Sequence, residues 1–267
     1  MADTVLYEVG DGLATITINR PEAMNAMDVA TKVALRDALR DAGEDTAVRA
    51  VLLTATGDRA FCVGQDLKEH TALLAQDRDS GTTATMSTVR EHYNPITHAI
   101  TTMPKPVVAG VNGVAAGAGM GFALASDYRI VADTASFNTS FTGVALTADS
   151  GLSWTLPRMI GQGRAADLLL FPRTVKAQEA YELGLVNRLV PAADLAREAA
   201  AVARALAAGP TVAYAAVKES LAFACEHSLD EALAKEDELQ TRAGSSEDHT
   251  IAVEAFLAKR KPQYLGR

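Results

Sequence analysis

Apolar and polar positions change their period several times along the chain, and each change marks an element. "LATITINRP" alternates from Leu13 to Ile18, which predicts a strand that Pro21 ends. In "MDVATKVALRDALRDAGED", Leu35, Ala38, Leu39 and Ala42 fall at i, i+3, i+4 and i+7, the spacing of an amphipathic helix. "RAVLLTATG" predicts a short buried strand that stops at Gly57. "PVVAGVNG" and "DYRIVADTASFN" predict two more strands, with a helix from about Ala118 to Ala125 between them. "AADLLLF" and "KAQEAYELG" predict short helices, the second stopped by Gly184, and "LVNRLVP" a late strand. After Pro191 the strand signal ends. "DLAREAAAVARALAAG", "TVAYAAVKESLAFACE", "SLDEALAKEDELQTRAG" and "HTIAVEAFLAKRK" all predict helices. The pattern is an α/β first part followed by an all-helical end. Between them in style stands the polar, weakly patterned segment from Lys68 to about Arg90, which is expected to be a mobile insertion of the kind that often carries function.

Composition narrows the class without choosing the chemistry. The 267 residues suit one large domain or a domain with an appendage, and 48% hydrophobic with 22% charged residues is ordinary for a packed protein. A net charge of −8 argues against a general nucleic-acid binder, which relies on basic surface to displace counterions. A small anionic ligand needs only a local basic patch. Cys62 and Cys225 give no disulfide framework and fit a reducing compartment, and "MADTVLYEVGDG" lacks the apolar core of a secretion signal, so a cytoplasmic protein is expected. Val107 to Ser126 carries no charge and raises the question of a membrane span. The run is rich in Gly and Ala and holds Asn112 near its middle, so a buried strand, a turn and a packed helix explain it better, and no membrane partner is expected. The five histidines do not cluster at ligand spacing, so no metal is expected.

Two glycine-containing turns carry candidate chemistry. In "RAFCVGQDL" (59–67), Gly64 permits an unusual backbone angle before a helix start, leaving the N–H of Gln65 without a helical partner. Read alone, this is a plain strand-to-helix turn in which Asp66 complements the helix dipole. In "VNGVAAGAGMGFALASD", glycines 113, 117, 119 and 121 let the backbone turn sharply, and a helix starting near Ala118 aims free N–H groups outward. The dinucleotide fingerprint G-x-G-x-x-G fails, because from Gly117 its third glycine falls at Phe122. Two outward N–H groups from separate turns suggest an oxyanion hole, which stabilises negative charge on a carbonyl oxygen.

At this point the chain resembles the enoyl-CoA hydratase/isomerase, or crotonase, superfamily over almost its whole length. The matching stretches are "NRPEAMNAM" (19–27), "AFCVGQDL" (60–67), "KPVVAGVNGVAAGAGMGFALASDYRIV" (105–131), "LPRMIGQGRAADLLL" (156–170), "AYELGLVNRLV" (180–190) and "AFLAKRK" (255–261). The resemblance implies a ClpP/crotonase-like fold: a core of stacked ββα turns in a superhelix, here residues 1–195, and a C-terminal helical trimerisation region, residues 196–267. It implies an acyl-CoA substrate, no prosthetic group, and a homotrimer or a hexamer made of two trimers. It implies that the N–H groups of Gln65 and Ala118 hold the thioester oxygen. The family usually has glycine at the second place, and alanine keeps the N–H. By the same carry-over, Glu22, Met24, Ala26, Cys62, Gln65, Asp66 and Leu67 contact CoA. Phe256 and Lys259 match a C-terminal pair that reaches the adenine end, sometimes from a neighbouring subunit. Lys259, Arg260 and Lys261 would supply positive charge for the phosphates; read without the family they are a solvated helix end.

The departure from the family pattern points to the reaction. Enoyl-CoA hydratases use two glutamates that align with positions 121 and 141, and this chain has Gly121 and Phe141 there. Asp149, in "TGVALTADSGLSWTLP" (142–157), fits a pattern similar to that of phenylacetate-pathway isomerases, which rearrange a ring-epoxide acyl-CoA and also move a β,γ double bond into conjugation. Benzoyl-type dehalogenases place an aspartate here too, but need a histidine where this chain has Asn94. Leu146, Phe141 and Trp154 are expected to desolvate Asp149 and strengthen it as a base. The plainer reading makes Asp149 an N-cap for the following helix. Isomerase is therefore the favoured expectation, with a hydratase or a non-catalytic acyl-CoA binding protein as alternatives.

Overall fold

The chain steps repeatedly between two sheets. The computed structural model describes residues 3–267. A hairpin opens the fold: β1 (Val5–Gly10) pairs antiparallel with β2 (Leu13–Ile18) through Asp11 and Gly12, both with left-handed backbone angles (φ 52° and 77°). That conformation is what an Asp-Gly hairpin turn requires. The first strand escapes the periodicity because it is mostly exposed, with no buried face to impose alternation. Helix α1 (Val29–Glu44) follows, its N-terminus capped by the Asp28 carboxylate, which accepts from the Thr31 N–H at 2.8 Å. Its buried stripe is Leu35, Ala38, Leu39 and Ala42, as the spacing predicts, extended one turn back to Thr31 and Lys32.

Three ββα turns then stack. Strands β3 (Ala50–Ala55), β5 (Val107–Val111) and β7 (Tyr128–Ala132) run parallel in the large sheet, ordered β1-β2-β3-β5-β7-β10, with β10 at Arg188–Val190. Their short partners β4 (Ala60–Cys62), β6 (Val114–Ala116) and β8 (Ser136–Asn138), with β9 (Val175–Lys176), form the small sheet. β3 and β5 are almost wholly buried, which is why they appear in the sequence as unbroken apolar runs. "DYRIVADTASFN", which predicts one strand, is β7 and β8 in different sheets. The chain crosses between sheets at Gly113, where any Cβ would stand 2.5 Å from the carbonyl carbon of Arg59, so only glycine fits. The uncharged run 107–126 is thus β5, β6 and the helix α4 (Ala118–Ala125), whose eight residues are all buried.

The remaining helices are α2 (Leu67–Ser80), α3 (Asn94–Thr102), α5 (Leu152–Ile160), α6 (Gln162–Leu170), α7 (Ala177–Glu182), α8 (Leu195–Ala207), α9 (Thr211–Ala224), α10 (Leu229–Gly244) and α11 (Glu247–Leu257). Helix α8 lays Ala199, Ala203 and Ala207 on the large sheet, close enough that a Cβ at Gly110 would meet that of Ala199 at 3.2 Å. The apolar residues of the tail divide. Leu221 and Leu233 are exposed, whereas Leu206 packs against the core.

Residues 68–90, weakly patterned in the sequence, are largely helical. They hold α2, a 3₁₀ turn (Ala84–Ser87) and the start of a π-helical turn (Val89–Tyr93). Asp66 caps α2 by accepting from the N–H groups of Lys68 and Glu69. Asp77 closes the far end, accepting from Thr82 Oγ1 (2.6 Å) and from the N–H groups of Ala84 (3.1 Å) and Thr85 (2.8 Å). Local polar ties replace an apolar stripe, so hydrophobic periodicity has little to register. Those bonds hold the Asp77 carboxyl down to about 2, against 3.8 for an ordinary aspartate. Its contribution is therefore full above the ordinary value and is lost as pH falls toward 2. Replacing Asp77 with Ala is expected to speed proteolytic cleavage within residues 67–90 at neutral pH by about tenfold while leaving the main unfolding transition in place. Unchanged cleavage would show that the segment is held by something else.

Candidate functional site

Three turns meet at the N-terminal half of α4. The first is Gly64–Gln65, which follows β4. Gly64 has φ +84°, and a Cβ there would lie 3.3 Å from the Ala116 carbonyl oxygen and 3.4 Å from the Ala118 nitrogen. The second is Gly117–Ala118, where Gly117 (φ 53°, ψ −126°) turns the chain from β6 into α4. The two turns are thus in contact. Among the described residues, the backbone N–H groups of Gln65 and of Ala118 have no hydrogen-bond partner, whereas their neighbours do: Asp66 donates to Met27 O and Gly117 to Asn138 O. Ala118 is buried, so its unpaired donor carries the cost of a desolvated polar group unless a ligand accepts from it.

The third turn is Asp149-Ser150-Gly151. Ser150 and Gly151 both adopt left-handed angles (φ 51° and 76°), which swing the chain against α4. The approach is close: a Cβ on Gly121 would be 2.6 Å from Ser150 Cβ and 2.7 Å from Ser150 O. Gly121 lies one turn after Gly117, to whose carbonyl it donates, so the Asp149 turn stands about 5 Å along the helix from the Ala118 N–H. The absence of a glutamate at 121 therefore has a steric reason. The space its Cβ needs is filled by the turn that brings in Asp149.

Asp149 is half-buried and accepts from Ser150 Oγ at 2.7 Å. It does not cap α5; the residue at that cap is Gly151. Burial raises its carboxyl above the ordinary aspartate value, and the Ser150 hydrogen bond opposes the rise. The source of the burial differs from the sequence expectation. Leu146 and Trp154 are exposed, and the Trp154 indole donates to Glu226 Oε1 instead. Phe141 is buried, with its ring edge 4.0 Å from where a Gly117 Cβ would be. The further wall is Tyr93, which sequence reasoning did not single out. Its hydroxyl donates to Gln65 Oε1 at 2.8 Å and its ring meets Phe122 edge-on at 6.0 Å. Burial raises the Tyr93 phenol, and the nearby charge of Asp149 raises it further, so the phenol is a neutral donor. Tyr93 ends the π-helical turn, a distortion that hydrophobic spacing does not reveal.

The loop before α1 is fastened to the first turn by polar side chains. Arg20 donates to Asp66 Oδ2 at 3.0 Å, pairs with Asp28 at 3.3 Å and donates to the Ala26 carbonyl. Asn25 is buried and donates to the carbonyls of Thr56 (3.0 Å) and Ala60 (2.7 Å). Met27 bridges Gln65 in parallel fashion. Met24 and Ala26 therefore run beside the Cys62–Leu67 segment, with Glu22 exposed at the loop's start and Leu67 exposed at the head of α2. Asp66 is engaged by Arg20 and by the α2 cap, and its carboxyl is held low: burial works against this, and the Arg20 bond and two backbone bonds outweigh it. Cys62 is fully buried and its thiol is pushed up to about 12, so it offers no thiolate at neutral pH. Phe256 and Lys259 are exposed, and the chain after them is tied to Arg49 and Asp248, not to the 62–67 segment, so one chain does not assemble this pair with the turns.

Comparison with known proteins agrees with this arrangement. Residues 8–267 match the enoyl-CoA hydratase/isomerase family model. A "Probable enoyl-CoA hydratase" of Rhodobacter capsulatus is 42% identical over 99% of this chain and 98% of its own length. The 1,2-epoxyphenylacetyl-CoA isomerase of Escherichia coli is 37% identical, with both chains covered in full. The solved structure of an enoyl-CoA hydratase from Bacillus anthracis superposes with a TM-score of 0.90 at 31% identity, covering 99% of this chain and 100% of that one. The architecture is accordingly the crotonase fold.

If steric exclusion keeps glutamate from position 121, Gly121→Glu should force the Asp149 turn off α4. Denaturant unfolding is expected to show a loss of about 1–3 kcal/mol. A variant as stable as the parent would show that the turn yields freely.

Proposed function

The chain belongs to the enoyl-CoA hydratase/isomerase family, and from that premise we propose that it is an acyl-CoA isomerase working through a thioester enolate. The observation that carries the reading is the Asp149 carboxylate, partly buried on a turn that occupies the space of a glutamate at 121. The thioester oxygen accepts from the N–H groups of Gln65 and Ala118. These donors stabilise the oxyanion and acidify the hydrogens on the adjacent carbon. Asp149 takes one α-proton, and the electron pair of that C–H bond enters the dienolate. The protonated Asp149 returns the proton to the γ-carbon. The thioester C=O re-forms and the double bond comes to rest between the α- and β-carbons. No atom is gained or lost, and one acid suffices because the two proton steps are sequential. Phe141 stands where hydratases carry a second glutamate, so the second proton role that hydration needs has no acid there.

The Escherichia coli relative is named for isomerising an epoxide of phenylacetyl-CoA, and a ring-epoxide acyl-CoA is the second substrate class in this reading. The rival reading, enoyl-CoA hydration, draws on the name of the Rhodobacter relative. It needs Asp149 to perform both proton roles otherwise divided between two glutamates. A binding protein without chemistry is the third reading. Glu22, Met24, Ala26, Cys62, Gln65, Asp66 and Leu67 are taken as the CoA-contacting stretch. Phe256 and Lys259 are assigned to CoA across a subunit boundary. The helical region from residue 196 is assigned to assembly as a trimer or a pair of trimers, with Val217, Leu221 and Leu233 as its exposed apolar positions.

The test is a β,γ-enoyl-CoA incubated in deuterated water with wild type and with Asp149→Asn, read by mass spectrometry. The wild type is expected to yield the conjugated isomer, and the variant to lose about 10²–10⁴-fold in rate. A hydroxyacyl product would favour the hydratase, and tight binding with neither reaction nor exchange the binding protein. The isomerase rate should climb with pH through the raised Asp149 value, so its acid limb lies above the ordinary aspartate range. Stability runs the other way. A carboxyl raised in the folded state binds its proton more tightly there, so stability falls as pH rises from the unfolded value through the folded one. Asp149→Asn is therefore expected to melt at a higher temperature than wild type at neutral pH while being the weaker catalyst. A variant that melts lower would contradict the buried-charge account.

A further inference from the structure

Lys32 is fully shielded from solvent, on the face of α1 that otherwise buries Leu35 and Leu39. An apolar side chain there would need no desolvation of an ammonium group. The shielded charge is not explained by a salt bridge. Its nearest carboxylate oxygen, on Glu69, is 4.0 Å away, and Glu69 accepts from the Val29 N–H at 3.0 and 3.1 Å. What the ammonium does engage is Gln65 Oε1 at 3.0 Å and Thr88 Oγ1 at 2.9 Å. The Tyr93 hydroxyl donates to the same Gln65 oxygen, and the ammonium stands 5.5 Å over the Tyr93 ring. The side-chain oxygen of Gln65 is thus gripped by two donors from two different helical segments, while the backbone N–H of the same residue is left free.

We propose that Lys32 is a positioning residue for the oxyanion site: its ammonium, with Tyr93, clamps Gln65 Oε1 so that the Gln65 peptide presents its N–H to the thioester oxygen. This rests on the oxyanion reading above. A donor that is fixed before the substrate arrives stabilises the enolate more than one that must be ordered during reaction, and a charge-assisted bond holds it more firmly than a neutral one. The ammonium also places a positive charge behind that peptide, in surroundings that screen it poorly. Burial pulls the Lys32 ammonium below the ordinary lysine range, and Glu69, Asp28 and Asp66 pull it back up. Thr88 ends the stretch that runs back from α2 toward the site, so the clamp also ties that covering segment to the first turn. Its action is on the oxyanion and not on the proton. Lys32 is not among the groups that shift Asp149, so the two roles separate experimentally.

The experiment compares wild type, Lys32→Met, Gln65→Ala and the double variant. Turnover of a β,γ-enoyl-CoA is measured across pH. The carbonyl stretch of bound butyryl-CoA, labelled with carbon-13 at the thioester, is read by infrared difference spectroscopy. Lys32→Met is expected to lower kcat by about 10- to 100-fold, somewhat less than loss of an oxyanion donor itself, with KM changed by less than about threefold. The carbonyl stretch should move back toward its solution frequency, and the acid limb set by Asp149 should stay in place. Gln65→Ala keeps the N–H but removes the clamped oxygen, so it should reproduce both effects even if Lys32→Met does not fold. The double variant should lose no more than either single one. A Lys32→Met enzyme with the wild-type carbonyl stretch, or additive losses in the double variant, overturns the proposal. A wild-type enzyme that leaves the carbonyl at its solution frequency overturns the oxyanion reading, and the clamp with it.

Discussion

The arrangement depends on how closely backbone can approach the helix α4. Two segments, Cys62–Gln65 and the Asp149 turn, press against its first two turns, and each contact is made where α4 or its partner has no side chain. Gly64 lets the Gln65 turn touch the Ala118 N–H. Gly119 removes the Cβ that would collide with the Cys62 carbonyl, and Gly121 admits the Asp149 turn. Interiors are packed too tightly for such approaches to be made with larger residues. Two free N–H groups and the turn that carries Asp149 are brought to the first two turns of one helix as a consequence. The ββα spiral supplies the frame, because each crossing between sheets delivers the chain to the same end of the fold.

That constraint also accounts for what was legible in the sequence. Elements with one buried face, such as α1 with Leu35, Ala38, Leu39 and Ala42, announce themselves by period. The glycines of "NGVAAGAGMG" mark the close approaches, and Asp149 stands out as a lone acid, so the two turns and the carboxylate were all visible. What stayed hidden was held by polar contacts. Residues 68–90 fold around Asp77 and a π-helical turn, neither of which leaves a hydrophobic rhythm. Lys32 falls on the apolar stripe of α1 as a charged residue, and only tertiary contact shows that it turns inward. Phe141 is buried beside Gly117, Trp154 and Leu146 are exposed, and Tyr93, which no spacing marks, is close enough to Asp149 to feel its charge.

Two ionisable groups of the site are drawn out of water, Lys32 wholly and Asp149 in part, and they differ in what surrounds them. Among the described residues, Asp149 accepts one side-chain hydrogen bond, from Ser150, and has no cation that shifts it, so burial dominates and the carboxylate becomes a stronger base. Lys32 has two strong acceptors and three acids within electrostatic reach, which keep the ammonium serviceable as a donor. Tyr93 donates to the Gln65 oxygen that Lys32 also engages, and it lies near enough to Asp149 for that charge to raise its phenol.

In the isomerase reading a single, partly buried carboxylate carries the proton from one carbon to another. The most direct measurement uses a β,γ-enoyl-CoA deuterated at its α-carbon, turned over in ordinary water, with the product's label located by NMR. A single shuttle predicts that part of the deuterium reappears at the γ-carbon of the same molecule. A γ-carbon that carries hydrogen from solvent alone would contradict a single shuttle, and a hydroxyl group at the β-carbon beside an untouched α-label would assign the site to hydration.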